Sequence, residues 1–196
     1  MYLVLFATFT IFLLLSLIQS ACNAEKFRGL PFSVEVPVSW SYTETPEHPL
    51  EHVLGVSSYS SVALVPAKFA ELLIQDKGDI AMGNGTAAIL FAEDTDYTVK
   101  NAPPELYVKF RTNKDETLNV TSQQDTTVGK EKAVRIEAIK NDTVGNIKLL
   151  EYLLIHNNEP YIIRYIASPN DFERYLPDFE LMVKSFKFGT NSSGNR

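Results

Sequence analysis

The residues with the types and spacing to do chemistry are few. His48-Pro49-Leu50-Glu51-His52 has the H-x-x-E-H spacing of inverted zinc peptidases, in which a helix places both imidazoles on one side of a metal. Pro49 would force His48 to a helix cap, and Gly55 closes the segment before a helix of adequate length can form. The expectation is a solvated loop, with His48 and His52 as a surface metal pair and zinc hydrolysis with Glu51 as a more distant reading. Glu93-Asp94-Thr95-Asp96 offers hard oxygen ligands of the kind calcium prefers, but it lacks the glycine and the distal glutamate of an EF-hand loop. Glu93, Asp94 and Asp96 therefore read first as an acidic turn. His156 sits at the end of an apolar run and reads as a surface residue rather than a base. No Gly-x-Ser-x-Gly elbow or phosphate loop occurs, and no cysteine nucleophile follows Cys22.

What must position these residues begins with export. Residues 1–24 carry no charged side chain, and Tyr2 to Ile18 is an apolar run broken only by Thr8, Thr10 and Ser16. That is the h-region of a secretory signal or a short membrane anchor. Cys22 is the sole cysteine, so no internal disulfide framework exists. It follows Ser20-Ala21, which resembles the lipobox of prokaryotic lipoproteins, where the cysteine is lipidated and becomes the mature N-terminus; Gln19 stands where an aliphatic residue is usual. Cleavage after Ala24, with Cys22 discarded, is the other reading. Both place the mature chain outside the cytoplasm, either anchored at a membrane surface or secreted. Four Asn-X-Ser/Thr sequons, at Asn84, Asn119, Asn141 and Asn191, fit a glycosylated exterior.

Length and charge narrow the class. The segment after residue 24 suits one domain with its own core, running over 25–188, and the polar tail Gly189 to Arg196 reads as disordered. A net charge of −6, from 18 basic and 24 acidic residues without a Lys/Arg cluster, argues against nucleic acid as a partner.

The organising stretch is Glu159 to Phe188. Tyr161 to Ile166 is β-branched and aromatic almost throughout, as in a strand at the centre of a sheet. From Asp171 onward, Phe172, Tyr175, Phe179, Met182 and Phe186 recur at helical spacing, with Leu176 and Val183 widening the stripe. Asn170 or Asp171 is the expected N-cap, and Pro177 is expected to divide the segment near Leu176. Upstream, Phe32 to Pro37 alternates as a half-buried strand, Trp40 anchors a sheet edge or a helix, and Thr43 to His52 reads as a loop. Val62 to Val65 and Thr86 to Phe91 read as strands, with Gly83-Asn84-Gly85 as a turn before the second. Pro66 to Asp76 reads as a helix with Phe69, Leu72 and Leu73 inward, and a helix from Pro103-Pro104 to Asn113 is expected to bury Leu106, Phe110 and Tyr107. Leu118 to Gln123, Ala133 to Ile139, Ile147 to His156 and Pro160 to Ala167 form consecutive strands joined by turn-forming residues, hence an antiparallel meander. Tyr152, Tyr161 and Tyr165 fall on neighbouring strands, lining a cleft or, more simply, packing the sheet. The fold class is α+β: a central antiparallel sheet flanked by about three helices, an α/β/α layer sandwich.

Three stretches carry a family resemblance: Phe32-Ser-Val-Glu-Val-Pro-Val-Ser-Trp40, the Val128-Gly129 turn before Ala133-Val134-Arg135-Ile136, and Phe179 to Phe188. They resemble the PsbP domain family, which includes the extrinsic photosystem II protein and many prokaryotic PsbP-like proteins. The resemblance spans about Phe27 to Phe188. It implies the antiparallel sheet between helical layers, a fold shared with a Ran-binding nuclear import factor. It also implies a non-enzymatic, membrane-peripheral binding role without a resident cofactor, although photosynthetic members help retain calcium and chloride. This chain has no Ser/Arg-rich transit peptide of the plant kind, while Cys22 suits the prokaryotic members. Two expectations follow. One is an exported binding or scaffold domain, tethered by lipid or by its N-terminal segment to a membrane and held against another protein, with an exposed patch beside Trp40 or on the tyrosine-rich sheet face. The other is an extracytoplasmic carrier of a small ligand or calcium-like ion, with a closed pocket.

Overall fold

In the computed structural model, the residues described are 23–26, 31–45, 58–69, 87–94, 103–114, 117–142 and 145–189. They form two antiparallel sheets and two α-helices.

The meander forms as its sequence predicts and runs longer than the apolar cores alone. β6 (Leu118–Val128), β7 (Glu131–Asp142), β8 (Gly145–His156) and β9 (Glu159–Ala167) pair in sequence order. Two tight turns set this register. Val128 pairs with Glu131 across Gly129, whose φ of 60° favours glycine, and His156 pairs with Glu159 across Asn157 and Asn158 at φ 50° and 67°. Two left-handed residues in succession match the twist of a two-residue hairpin, and asparagine tolerates them at low cost.

The other half of the large sheet is built by return. β3 (Trp40–Thr45), β4 (Ser58–Pro66) and β5 (Ala87–Asp94) pair in order, and β5 then pairs with β9, giving β3-β4-β5-β9-β8-β7-β6. β9 therefore lies inside the sheet, and from Pro160 to Ala167 every residue is buried. β3 extends through Thr43–Thr45, where a loop was expected, because these residues continue the ladder to Ser61–Ala63. Likewise Glu93 and Asp94 end β5 instead of forming a turn. Pro66 closes β4, and Ala67–Phe69 makes one 3-10 turn in place of the start of a longer helix. The rest of that expected helix, 70–76, lies outside the described residues, as does the Gly83–Gly85 turn.

One face of the large sheet receives helix α2 (Phe172–Ser185). The expected break at Pro177 does not occur, and the helix is continuous across it. Pro177 is exposed, and its missing N–H costs the helix about 3 kcal/mol or more. Against that stand Phe172, Tyr175, Phe179, Met182 and Val183, each worth about 1.5–3 kcal/mol when buried. Asp171 is the N-cap residue without a side-chain cap bond; its carboxylate accepts from Ser168 Oγ at 2.7 Å. Trp40 serves both of its expected roles. It starts the edge strand β3 and meets α2, its indole N–H donating to Asp178 Oδ2 at 2.8 Å and its ring set edge-on to Tyr175. The opposite face carries helix α1 (Pro104–Lys114), which packs on β7 and β8. Tyr107 and Val108 face inward and Phe110 packs beside them, but Leu106 is 50% exposed, contrary to expectation. One helical step turns a side chain by about 100°, so the pair that buries Tyr107 and Val108 carries Leu106 outward.

A small second sheet closes the molecule. β2 (Phe32–Val36) sits between β1 (Asn23–Lys26) and β10 (Lys187–Phe188). β1 starts at Asn23, two residues before the expected domain boundary. Gly189, assigned to a disordered tail from sequence, donates its N–H to the Pro31 carbonyl at 2.7 Å.

Candidate functional site

At the end of the large sheet where the β6–β7 and β8–β9 turns lie, the C-terminal strand folds across the hairpins and leaves a half-open cleft of about 510 Å³. Gly129, Lys130 and Glu131 line it from one turn, His156 and Asn157 from the other, and Phe186 to Gly189 from the chain's end. The local sequence dictates this shape. The two turns are as short as a hairpin allows, and Gly129 takes a left-handed backbone, φ 60°, that favours glycine beside the Phe186 carbonyl.

His156 is the centre of the cleft wall. Its ring stacks flat on Phe188, with centroids 3.6 Å apart and planes within 4°, and Tyr161 stands edge-on to Phe188. Its Nδ1 lies 2.9 Å from Glu131 Oε1 and its Nε2 3.0 Å from the Asn157 side-chain amide nitrogen. Those contacts hold the ring through both of its nitrogens. The sequence reading of His156 as a plain surface residue is therefore corrected: it is half-buried and engaged through both nitrogens. Lys130 and Lys187 are exposed on the rim. Among the described lining residues, the cleft presents two ammonium groups above an aromatic floor.

A second polar group ties α2 to the sheet. Tyr152 Oη donates to Glu180 Oε2 at 2.9 Å, and Arg135 donates to Glu137 at 2.7 Å while lying 3.6 Å from Glu180. Burial first, then the charge of Glu180 and its hydrogen bond, push the Tyr152 phenol up to about 12. A folded-state value above the ordinary 10.0 contributes stability that is complete below that pH and is lost as pH rises from there through about 12. We expect the phenolate absorbance removed by Tyr152→Phe to titrate near pH 12 in the wild type and closer to the ordinary range in Glu180→Gln. Equal midpoints would mean that Glu180 does not hold the proton on.

The three tyrosines expected either to line a cleft or to pack the sheet do the latter. Tyr152, Tyr161 and Tyr165 are at most 5% exposed, the first and last beneath α2 and Tyr161 against Phe188 of β10, so that face is not a free patch. Beside Trp40, Val38 is 69% and Tyr42 39% exposed. Of the remaining sequence candidates, His48, Glu51, His52, Asp96, Cys22, Asn84 and Asn191 lie outside the described residues. Asn119, on β6, and Asn141, near the end of β7, are both exposed. Among the described residues no three His, Cys, Asp or Glu side chains group as a metal set. Also among them, no helix is long and apolar enough to cross a membrane. The cleft itself escaped sequence reading. Its one local signal was the pair of two-residue turns preceding a strand that ends in Phe186-x-Phe188.

No family model matches the chain, and no curated protein matches its sequence. Solved structures do. Cyanobacterial PsbP from Synechocystis sp. PCC 6803 superposes with a TM-score of 0.52 at 8% identity, covering 86% of this chain and 93% of its own. LpqN of Mycobacterium tuberculosis, involved in cell envelope biogenesis, gives 0.52 at 10% identity over 87% of this chain and 92% of its own. PA94 of Pseudomonas aeruginosa, a protein of unknown function, gives 0.51 at 11% identity over 87% and 99%. At such identities the likeness concerns architecture, and it meets the expectation raised by the Phe32–Trp40 and Phe179–Phe188 stretches. The chain has the PsbP-like fold, an antiparallel α+β architecture.

Proposed function

We propose that this protein is an exported, PsbP-like binding domain, non-catalytic and tethered at a membrane surface, that holds an anionic segment of a partner protein in the cleft beside His156. In it the two helices serve as the outer layers of an α/β/α sandwich. The observation that carries the reading is the composition of the cleft. In a protein of net charge −6, Lys130 and Lys187 flank an aromatic floor while the nearby Glu131 is taken up by His156. A carboxylate-bearing segment meets the two rim ammonium groups there, with Glu131 oriented by its bond to His156. The uncharged residues 1–24 and the architecture shared with LpqN support the envelope side of the membrane as its place of work.

Crosslinking mass spectrometry on native membranes tests this reading, comparing the wild type with Lys130→Glu/Lys187→Glu. Reversing two rim charges should weaken the recurrent crosslink roughly tenfold while leaving the circular dichroism unchanged. A crosslink indifferent to the reversal would place the partner elsewhere. A cleft volume of about 510 Å³ also suits a small acid. Loss of lysine-dependent binding of a small carboxylate, with no protein crosslink at all, would favour that carrier function instead.

A further inference from the structure

We infer that the turn from Pro37 to Trp40, led by Val38, is the part of this domain that lies against the lipid bilayer, with the cleft turned to the far side. The inference rests on the tethered reading above. Residues 1–22, which carry no charge, join the domain where β1 begins, at Asn23. The β1–β2 register sets Asn23 opposite Val36, so the first described residue of the chain stands beside this turn. Two residues further on, Val38 is 69% exposed, the most exposed large hydrophobic side chain among the described residues.

The turn is firmly held, which an inserting tip requires. Trp40 N–H donates to the Pro37 carbonyl at 2.9 Å, Ala67 N–H donates to the Ser39 carbonyl at 2.7 Å, and Trp40 itself is locked to α2. Lys68, next to Ala67 and exposed, supplies an ammonium group for anionic headgroups at the same level. A lone exposed valine is too little apolar surface for a stable protein–protein interface, yet it suffices as a shallow contact where the adjoining chain already enters a bilayer. The sheet places the cleft at the opposite end. Trp40 pairs with Pro66, and Ala167 pairs with both Ala87 and Lys148, which defines the near end. His156 stands eight residues along β8 from Lys148, roughly 25 Å away at the rise of a strand.

Full-length protein mixed with phosphatidylcholine/phosphatidylglycerol vesicles containing brominated acyl chains tests the orientation. Trp40 is buried and gives a common background to two variants, Val38→Trp and Lys130→Trp. Bromolipid should quench the Val38→Trp emission about twofold beyond that of Lys130→Trp, since only a shallowly inserted indole meets the acyl chains. Co-sedimentation with equal quenching of both variants would overturn the orientation and leave the tether intact. Failure of the protein to co-sediment would overturn the tethered reading and this inference with it.

Discussion

Replacing Arg164 with leucine is expected to destabilise the protein by about 3–5 kcal/mol, and adding Glu151→Leu to that variant should recover most of the loss. Glu151 and Arg164 face each other across β8 and β9, each about 1% exposed, with Arg164 Nε 2.5 Å from Glu151 Oε1. They sit on the α1 side of the sheet among Leu149, Leu153, Ile162 and Ile166. Removing one partner takes from the other the short charge-assisted bond that offsets part of its desolvation. Removing both leaves two leucines in a layer already made of leucine and isoleucine. Urea denaturation of the two single variants and the double variant would read the coupling directly. Single losses below about 1 kcal/mol would mean that water reaches the pair, since that is the range of exposed ion pairs.

That pair also marks the limit of what the sequence discloses. A strand that reads Leu-Leu-Glu-Tyr-Leu-Leu invites the inference that its glutamate faces solvent. Only the pairing of β8 with both β7 and β9, under the face that receives α1, shows that Glu151 is enclosed. Local order was readable. The meander from β6 to β9 followed from apolar runs separated by Gly129 and by Asn157-Asn158, and the α2 stripe followed from spacing alone. Trp40 was placed correctly because its size admits few sites. What was missed depends on contacts far apart in sequence. The β5–β9 pairing closes across α1 and three strands, and the cleft exists because Phe188 falls on His156 from 32 residues away. Pro177 was misjudged for a related reason: a proline's cost is local, but the packing that outweighs it comes from β2, β5 and β9. Leu106 was misplaced because α1 is so weakly patterned that the choice of its inward residues was decided by Tyr107.

The second large effect is expected at the centre of α2, where Phe179→Ala should cost about 3–5 kcal/mol. Phe179 is fully buried, its ring 5.2 Å from that of Tyr165 and nearly parallel to it, and 6.0 Å from that of Tyr152. Alanine removes the ring from the layer that joins helix to sheet, and two β-strand tyrosines cannot close the gap without leaving their own sites. Tyr165 is pinned by its hydroxyl, which donates to the Phe172 carbonyl at 2.7 Å, and Tyr152 by its bond to Glu180. The control is a position on the outward face of the same helix. Leu181 is 42% exposed, and Leu181→Ala should stay within about 0.5 kcal/mol of the wild type. Thermal melts separate the two cases, because a domain of this size loses roughly 2–4 °C per kcal/mol. If Phe179→Ala melts within a degree or two of the wild type, the interface between α2 and the sheet is not the main store of stability. In that event the continuity of α2 through Pro177 would need a source other than this packing. If the full loss is seen, the same helix that closes the core also holds Phe186 and β10 in place. The cleft would then depend on a residue that never touches it, and near-ultraviolet circular dichroism of the His156–Phe188 stack should fade at the same denaturant concentration as the core.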